Sequence, residues 1–336
     1  MGRKAVTRAS RSAGIRVAAV LLVLCGTDLS TLKAAAVDRP IRIGVLTEAW
    51  GPNPQTLGLR DGLRELGYRD DLDFEIGVRF TRGNVSELST AARELVAQGV
   101  DILFTGGGMA IKAAQAATAR VPIVFAGGVD DPVATGLVES IAHPGGNITG
   151  IVALSSELAG KRLEVFRDLV PSLKRVLVAY ASDSPSGVVE GQAYRDAARR
   201  LGITLVERPL RDQAEARTTF VRLRKGELNG LLVSHSLSLN VPGYAIEASA
   251  RLGIPAMFPA SFFVEQGGLI SYGSDYYATG RQAAHLVDKI VKGTKPGDLP
   301  VETNPRIELT LNMKTARRIG LPISAEMLGR MDRVFE

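Results

Sequence analysis

From residue 39 onward, short apolar runs alternate with longer stretches whose apolar residues fall at helical spacing. The run 41–46 is almost continuously apolar, as a strand covered on both faces should be. Leu59, Leu63 and Leu66 then share one side of a helix predicted over 55–66, which Gly67 ends as a C-cap. The same pattern predicts strands over 73–80, 101–105 and 121–125, with helices over 86–98 and 109–119. This alternation predicts an α/β fold, a parallel sheet with helices on both faces joined by right-handed crossovers.

The second half repeats the plan. Strands are predicted over 175–180, 204–207, 230–233 and 254–258, and helices over 188–201, 214–225 and 244–252. Glu65-Leu66-Gly67 is echoed by Arg200-Leu201-Gly202, and Val121-Pro122-Ile123-Val124-Phe125 by Ile254-Pro255-Ala256-Met257-Phe258. The separation from Gly67 to Pro122 is 55 residues, and from Gly202 to Pro255 it is 53. A twofold repeat means two similar doubly wound lobes, since a solenoid needs at least three units. A further strand over 268–272, a helix over 278–291, a strand over 306–312 and a helix over 313–319 let the chain cross back, so that three connections form a hinge. The expected lobes are 37–150 plus 267–298, and 151–266 plus 299–336.

The first 36 residues stand apart. Arg3, Lys4, Arg8, Arg11 and Arg16 precede the apolar run 17–24, and Ala34-Ala35-Ala36 supplies a small-residue cleavage pattern, which together predict a secretory signal peptide and a periplasmic mature chain. The apolar run is too short for a membrane span of about 20 residues. Cleavage after Ala36 removes six basic residues and one acid, leaving 35 positive against 34 negative side chains in place of the net +6 of the whole chain. The basicity therefore belongs to the leader and gives no reason to expect nucleic-acid binding.

Cys25, the one cysteine, closes Leu22-Val23-Leu24-Cys25-Gly26, a sequence like a lipoprotein box except that Leu24 stands where a small residue is needed. Ordinary cleavage near Ala36 is the preferred reading over lipid anchoring. The mature body then has no cysteine, and its three histidines (His143, His235, His285) are scattered, so neither a metal nor another cofactor is expected.

In open α/β sheets ligands sit beyond the carboxyl ends of the strands. In the first lobe those loops hold Thr47, Glu48 and Trp50, then Gly106, Gly107, Gly108 and Met109, then Asp130. In the second they hold Ser182, Asp183 and Ser184, then Ser234, His235 and Ser236. The triple glycine opens a helix and could cradle a carboxylate or phosphate, or form a plain tight turn; it lacks the Gly-Lys-Ser/Thr of a nucleotide-binding loop. Trp50 could stack on a ligand ring or pack between lobes, and Tyr272 could line the hinge side of a cleft or sit in the core. The serines offer hydrogen bonds, and Glu48 or Asp183 could meet a ligand amine. His235 between two serines is not a catalytic arrangement, because neighbours on a strand end point to opposite faces and no Gly-x-Ser-x-Gly elbow is present. No enzymatic activity is expected.

Several segments carry a resemblance. Gly62-Leu63-Arg64-Glu65-Leu66-Gly67-Tyr68, Val121-Pro122-Ile123-Val124-Phe125, Asp131-Pro132-Val133, Pro144-Gly145-Gly146-Asn147-Ile148-Thr149-Gly150 and Gly267-Gly268-Leu269-Ile270-Ser271-Tyr272-Gly273 are similar to the ABC-transporter substrate-binding family. Asp288-Lys289-Ile290, Lys292-Gly293 and Asp298-Leu299-Pro300-Val301-Glu302 extend the likeness towards the C-terminus. The resemblance implies a type I periplasmic-binding fold and a non-catalytic, monomeric binding protein that delivers a small molecule to a membrane permease. The family's best-known relatives bind aromatic amino acids such as tryptophan. Two departures leave the ligand open: Gly106-Gly107-Gly108-Met109 stands where Gly-Thr or Gly-Ser is usual, and Ser234-His235-Ser236 replaces a more apolar loop containing proline. Other amino acids, small carboxylates and nucleoside-like compounds remain open. The alternatives are a two-lobe ligand sensor without a transporter, for which the DNA-reading helix-turn-helix is missing, and a cytosolic α/β enzyme.

Overall fold

The computed structural model describes residues 39–48, 53–82, 84–154, 156–182, 185–237 and 242–336. The expected leader, 1–36, lies outside them. Two separate sheets organise the chain. The first begins with β1 (Ile41–Thr47), β2 (Phe74–Phe80), β3 (Ile102–Thr105), β4 (Ile123–Ala126) and β5 (Ile148–Ala153), all parallel, and β11 (Glu302–Asn304) is added beside β5 in the order β11-β5-β4-β3-β1-β2. The second holds β6 (Arg175–Ala181), β7 (Thr204–Leu210), β8 (Gly230–Val233), β9 (Ala256–Phe258), β10 (Ile270–Ser274), β12 (Ile307–Asn312) and β13 (Arg333–Phe335), in the order β13-β12-β10-β9-β8-β6-β7. Its one antiparallel pair is β10 with β12.

Helices cover both faces of each sheet. On the first, α1 (Pro54–Glu65) and α9 (Tyr276–Val291) bury Leu59, Leu63, Ala283, Ala284 and Val287 against Ile43, Val45 and Phe104. The opposite face takes α2 (Leu88–Ala97) and α3 (Gly108–Ala117). On the second sheet, α6 (Gln213–Arg222), α7 (Pro242–Leu252) and the short α8 (Ser261–Glu265) cover one side. The other side is covered by α4 (Ala159–Leu169), α5 (Pro185–Leu201) and α10 (Met313–Arg318). The helix starts follow local chemistry: Asn53 accepts from Thr56 N with Pro54 in the first turn of α1, and Asp275 accepts from Ala278 N to open α9.

The fold is thus α/β with two doubly wound lobes, as the alternation predicted. Strand pairing draws the crossings differently from the expected boundaries, because β10 pairs in the second sheet and β11 in the first. The chain changes sheet after β5, between β10 and α9, and between β11 and β12. These three crossings are stitched together. Asp275 N donates to Arg306 O (2.9 Å), while Asn304 Nδ2 donates to Asp275 O (2.9 Å) and Thr279 Oγ1 (2.8 Å). Asn304 Oδ1 accepts from Arg306 N (3.0 Å), and Ser274 Oγ reaches Leu154 O (3.5 Å).

Candidate functional site

Each sheet reverses its winding direction once, between β1 and β3 in the first and between β6 and β8 in the second. Beyond the carboxyl ends of the strands at such a point, the loops diverge and leave a crevice.

At the first crevice Thr47, fully buried, accepts from Asn53 Nδ2 (3.2 Å). Glu48 follows, only 3% exposed, and its Oε1 accepts from Ala110 N (2.9 Å) in the first turn of α3. Burial pushes the Glu48 carboxyl above its ordinary range, and the backbone N–H groups of Glu48, Ala110 and Met109 pull it back. Oε2, also buried, has no hydrogen-bond partner among the described residues. It lies so near Gly107 that a Cβ there would stand 2.0 Å from it. A Cβ on Gly108 would come 2.7 Å from Gly128 O, so the loops after β3 and β4 touch backbone to backbone. The triple glycine, which the sequence left as either a cradle for a ligand anion or a plain tight turn, already holds a carboxyl group of this chain. Glycine is needed there because no side chain can share the space with Glu48. Met109 turns outward, half exposed.

The second crevice is built alike. Glu190, on α5 and fully buried, accepts from His235 N (2.9 Å) and Ser236 N (3.0 Å), filling the turn after β8 as Glu48 fills the start of α3. Ser234 and Ser236 hydroxyls bond each other (2.7 Å), and Ser236 Oγ accepts from Ala181 N (3.1 Å). Behind Glu190, at 3.5 Å, the buried guanidinium of Arg162 on α4 donates to Tyr194 OH (2.7 Å) and to Tyr272 O in β10 (2.8 Å). Burial opposes the charge on Arg162, and Tyr194 and Glu190 outweigh it. Ser182 is exposed, with its amide donating to Leu210 O (3.0 Å). Trp50, Asp183 and Ser184 lie outside the described residues.

Tyr276 joins the two crevices. It is the first residue of α9, and its ring sits 2.9 Å from where a Cβ on Gly127 would be, at a backbone φ of +77° that favours glycine. The ring stacks on His235 of the second lobe, with centroids 5.9 Å apart and planes 15° from parallel, and its hydroxyl bonds His235 Nε2. Asp130 makes a second tie, accepting from Ser156 Oγ (2.5 Å) just beyond the first crossing. Thr47, Glu48, Gly107, Gly108 and Met109 are thus gathered at one crevice, and Ser234 and His235 at the other. Tyr272 instead packs against the second-lobe core and contributes its carbonyl to Arg162. Sequence reasoning missed Tyr276, Glu190 and Arg162. Tyr276 carried one signal, the Asp275 cap that starts α9 at a sheet crossing. Glu190 falls within the helix predicted over 188–201, the pattern marked no element around Arg162, and nothing local marks the two as partners. Among the described residues no group of three His, Cys, Asp or Glu side chains is placed to hold a metal ion, and no helix is long and apolar enough to cross a membrane.

A family model described as "ABC transporter substrate binding protein" matches residues 41–335. A tyrosine-binding protein of Clostridioides difficile (strain R20291) is 25% identical over 285 residues, spanning 84% of this chain and 81% of that one. Among solved structures, a conserved domain protein from Vibrio cholerae superposes with a TM-score of 0.76 at 27% identity, covering 88% of this chain and all (100%) of that one. An ABC domain from Streptococcus pneumonia, solved in complex with L-Trp, superposes at 0.73 and 24% identity, with 88% and 100% covered. Two doubly wound lobes joined by three crossings, matched along nearly the whole described chain, place this protein in the ABC transporter substrate-binding protein family.

Proposed function

We propose that this chain is an extracytoplasmic, non-catalytic receptor that captures an amino acid between its lobes and passes it to the permease of an ATP-driven importer. The observation that carries this reading is Tyr276, whose ring touches Gly127 of the first lobe and stacks on His235 of the second, bringing the strand-end crevices of both sheets to one place. The three stitched crossings supply a hinge beside that place. A ligand that touches both lobes favours the closed arrangement by its differential affinity, so binding and closure are one linked event. Moving such an equilibrium from 1:99 to 99:1 takes about 5.5 kcal/mol of preference, a large share of the roughly 8 kcal/mol of a micromolar complex. Contacts from one lobe alone do not suffice. The ligands of two similar proteins, tyrosine and L-Trp, support an amino acid as the class. Nothing at His235 supports hydrolysis, since its ring bonds Tyr276 while the flanking serines bond each other.

The test is titration calorimetry of the chain from residue 37 with the common amino acids, combined with small-angle scattering. The expected result is micromolar binding of at least one of them with a smaller radius of gyration in its presence. Binding without compaction would refute closure, and no binding across the set would refute the ligand class. Export is tested separately by intact mass of the periplasmic protein, expected to begin near Val37; a diacylglyceryl mass on Cys25 would select lipid anchoring instead.

A further inference from the structure

We propose that Glu48 is a specificity-determining residue: it closes the start of α3 to carboxylate and phosphate groups of a ligand and offers its second oxygen to a ligand ammonium or other N–H donor. The inference rests on the solute-binding reading and deepens it. A helix N-terminus beyond a glycine-rich strand end is the usual place for a ligand anion, because free N–H groups and the helix dipole meet there. Here the amides of Met109 and Ala110 already face the Glu48 carboxyl. Gly107 allows that carboxyl to lie against the backbone, and any Cβ would displace it. An incoming anion finds its donors used and a carboxyl in their place.

The second oxygen carries the positive half of the proposal. A buried carboxyl oxygen left without a partner loses its hydration with nothing in return, yet among the described residues Oε2 is buried and unpartnered while Oε1 is satisfied. The matching group in the second lobe behaves differently. Both oxygens of Glu190 accept backbone N–H groups, and Arg162 stands beside them. Of two carboxyls filling equivalent turns, only the Glu48 group keeps acceptor capacity at a crevice. A donor-bearing ligand satisfies it; an acceptor-only ligand does not.

Two measurements decide this. In the first, thermal unfolding of wild type and of Glu48→Ala is followed with added formate, acetate or chloride at equal ionic strength. The variant is expected to melt lower and to regain stability saturably with formate or acetate, which refill the vacated turn, while the wild type responds to all three salts alike. Identical responses of the two proteins would overturn the plug. In the second, calorimetry compares L-tyrosine, tyramine and 3-(4-hydroxyphenyl)propionate on wild type and Glu48→Gln, the variant that keeps the shape of the side chain. Tyrosine and tyramine are expected to bind the wild type, the amine-free acid about tenfold or more weakly, and Glu48→Gln to lose about tenfold for the two amines. Equal binding of the amine-free acid, or an unaffected Glu48→Gln, would overturn the donor assignment while leaving the amino-acid reading intact. No binding by any of the three to wild type, with formate rescue present, would reject the donor assignment and leave the plug standing, while the titration of the full amino-acid set decides the amino-acid reading.

Discussion

Glycine at residue 107 has an extended backbone, φ −156°, that any residue adopts, so the whole cost of a side chain there comes from collision with Glu48. That gives a clean coupling experiment. Gly107→Ala is expected to destabilise the wild type by about 1–3 kcal/mol, the usual range for overpacking. In a Glu48→Ala background it should cost far less, and a denaturant double-mutant cycle reads the difference as coupling. The raised Glu48 carboxyl adds a pH signature. A group that holds its proton more tightly when folded contributes most below the ordinary carboxylate range and loses that contribution as pH rises through its native value. Relative to Glu48→Gln, wild-type stability should therefore be most favourable in acid and decline towards neutrality, measured as urea midpoints across that range. In the second lobe, Arg162→Met strips the carbonyl of Tyr272 and the hydroxyl of Tyr194 of their donor and leaves Glu190 without its cation. Breaking a buried pair on one side costs about 3–5 kcal/mol, and Arg162→Met with Glu190→Gln should cost less than the sum. Why these residues escaped the sequence is physical. Arg162 meets partners 28, 32 and 110 positions away, at Glu190, Tyr194 and Tyr272, and apolar periodicity carries no record of which helix will lie beside which. Glu48 was legible as a strand-end carboxylate, but its turn inward to α3 depends on a glycine 59 positions on.

Among the elements, α1 and α9 pack with unusual closeness, because Gly58, Gly62 and Gly280 remove the side chains at their crossing. A Cβ on Gly58 would stand 2.0 Å from Tyr277 O, and one on Gly280 2.0 Å from Gln55 O. Helix propensity alone says that Gly→Ala inside a helix gains about 1 kcal/mol. Here rigid backbone blocks it, so Gly58→Ala and Gly280→Ala are each expected to lower stability by more than 1 kcal/mol. Gly243 in α7, whose added Cβ would meet no packed neighbour within 4 Å among the described residues, is the control expected to be neutral or stabilising. Thermal unfolding of the three variants checks the sign. These two helices were legible, since the pattern put α1 over 55–66 against the observed Pro54–Glu65 and α9 over 278–291 against Tyr276–Val291, whereas α4 was not marked. The pattern did not mark β5, β11 and β13. Two of these have three residues each, β11 and β13, too short to show a period. The third, β5, follows a Pro-Gly-Gly-Asn turn and runs through Gly150, so it reads as loop.

At the scale of the whole molecule, Asn304 is one of the residues through which the second and third crossings hold each other, by bonds to Asp275, Thr279 and Arg306. Asn304→Ala should loosen the hinge without touching either crevice. The expected outcome is a larger radius of gyration of the free protein and weaker ligand binding, with the crevice residues' own chemistry unchanged; an unaltered scattering profile would show that the other crossings suffice. The same crossings have a consequence for the order of events when the chain is made. Residues 41–153 supply five strands of the first sheet, but on the side of the sheet that α1 occupies, Val124, Ala126 and Ile151 of β4 and β5 lie in the cluster completed by α9, and the edge of β5 is covered by β11. Until residue 304 has been synthesised, that lobe keeps an open apolar face and an open edge, and the second lobe likewise waits for β12 and β13. Neither lobe can finish before the other is nearly complete. A nascent chain of this design stays incompletely folded for most of its synthesis, the state in which a polypeptide can still be threaded through a narrow membrane pore.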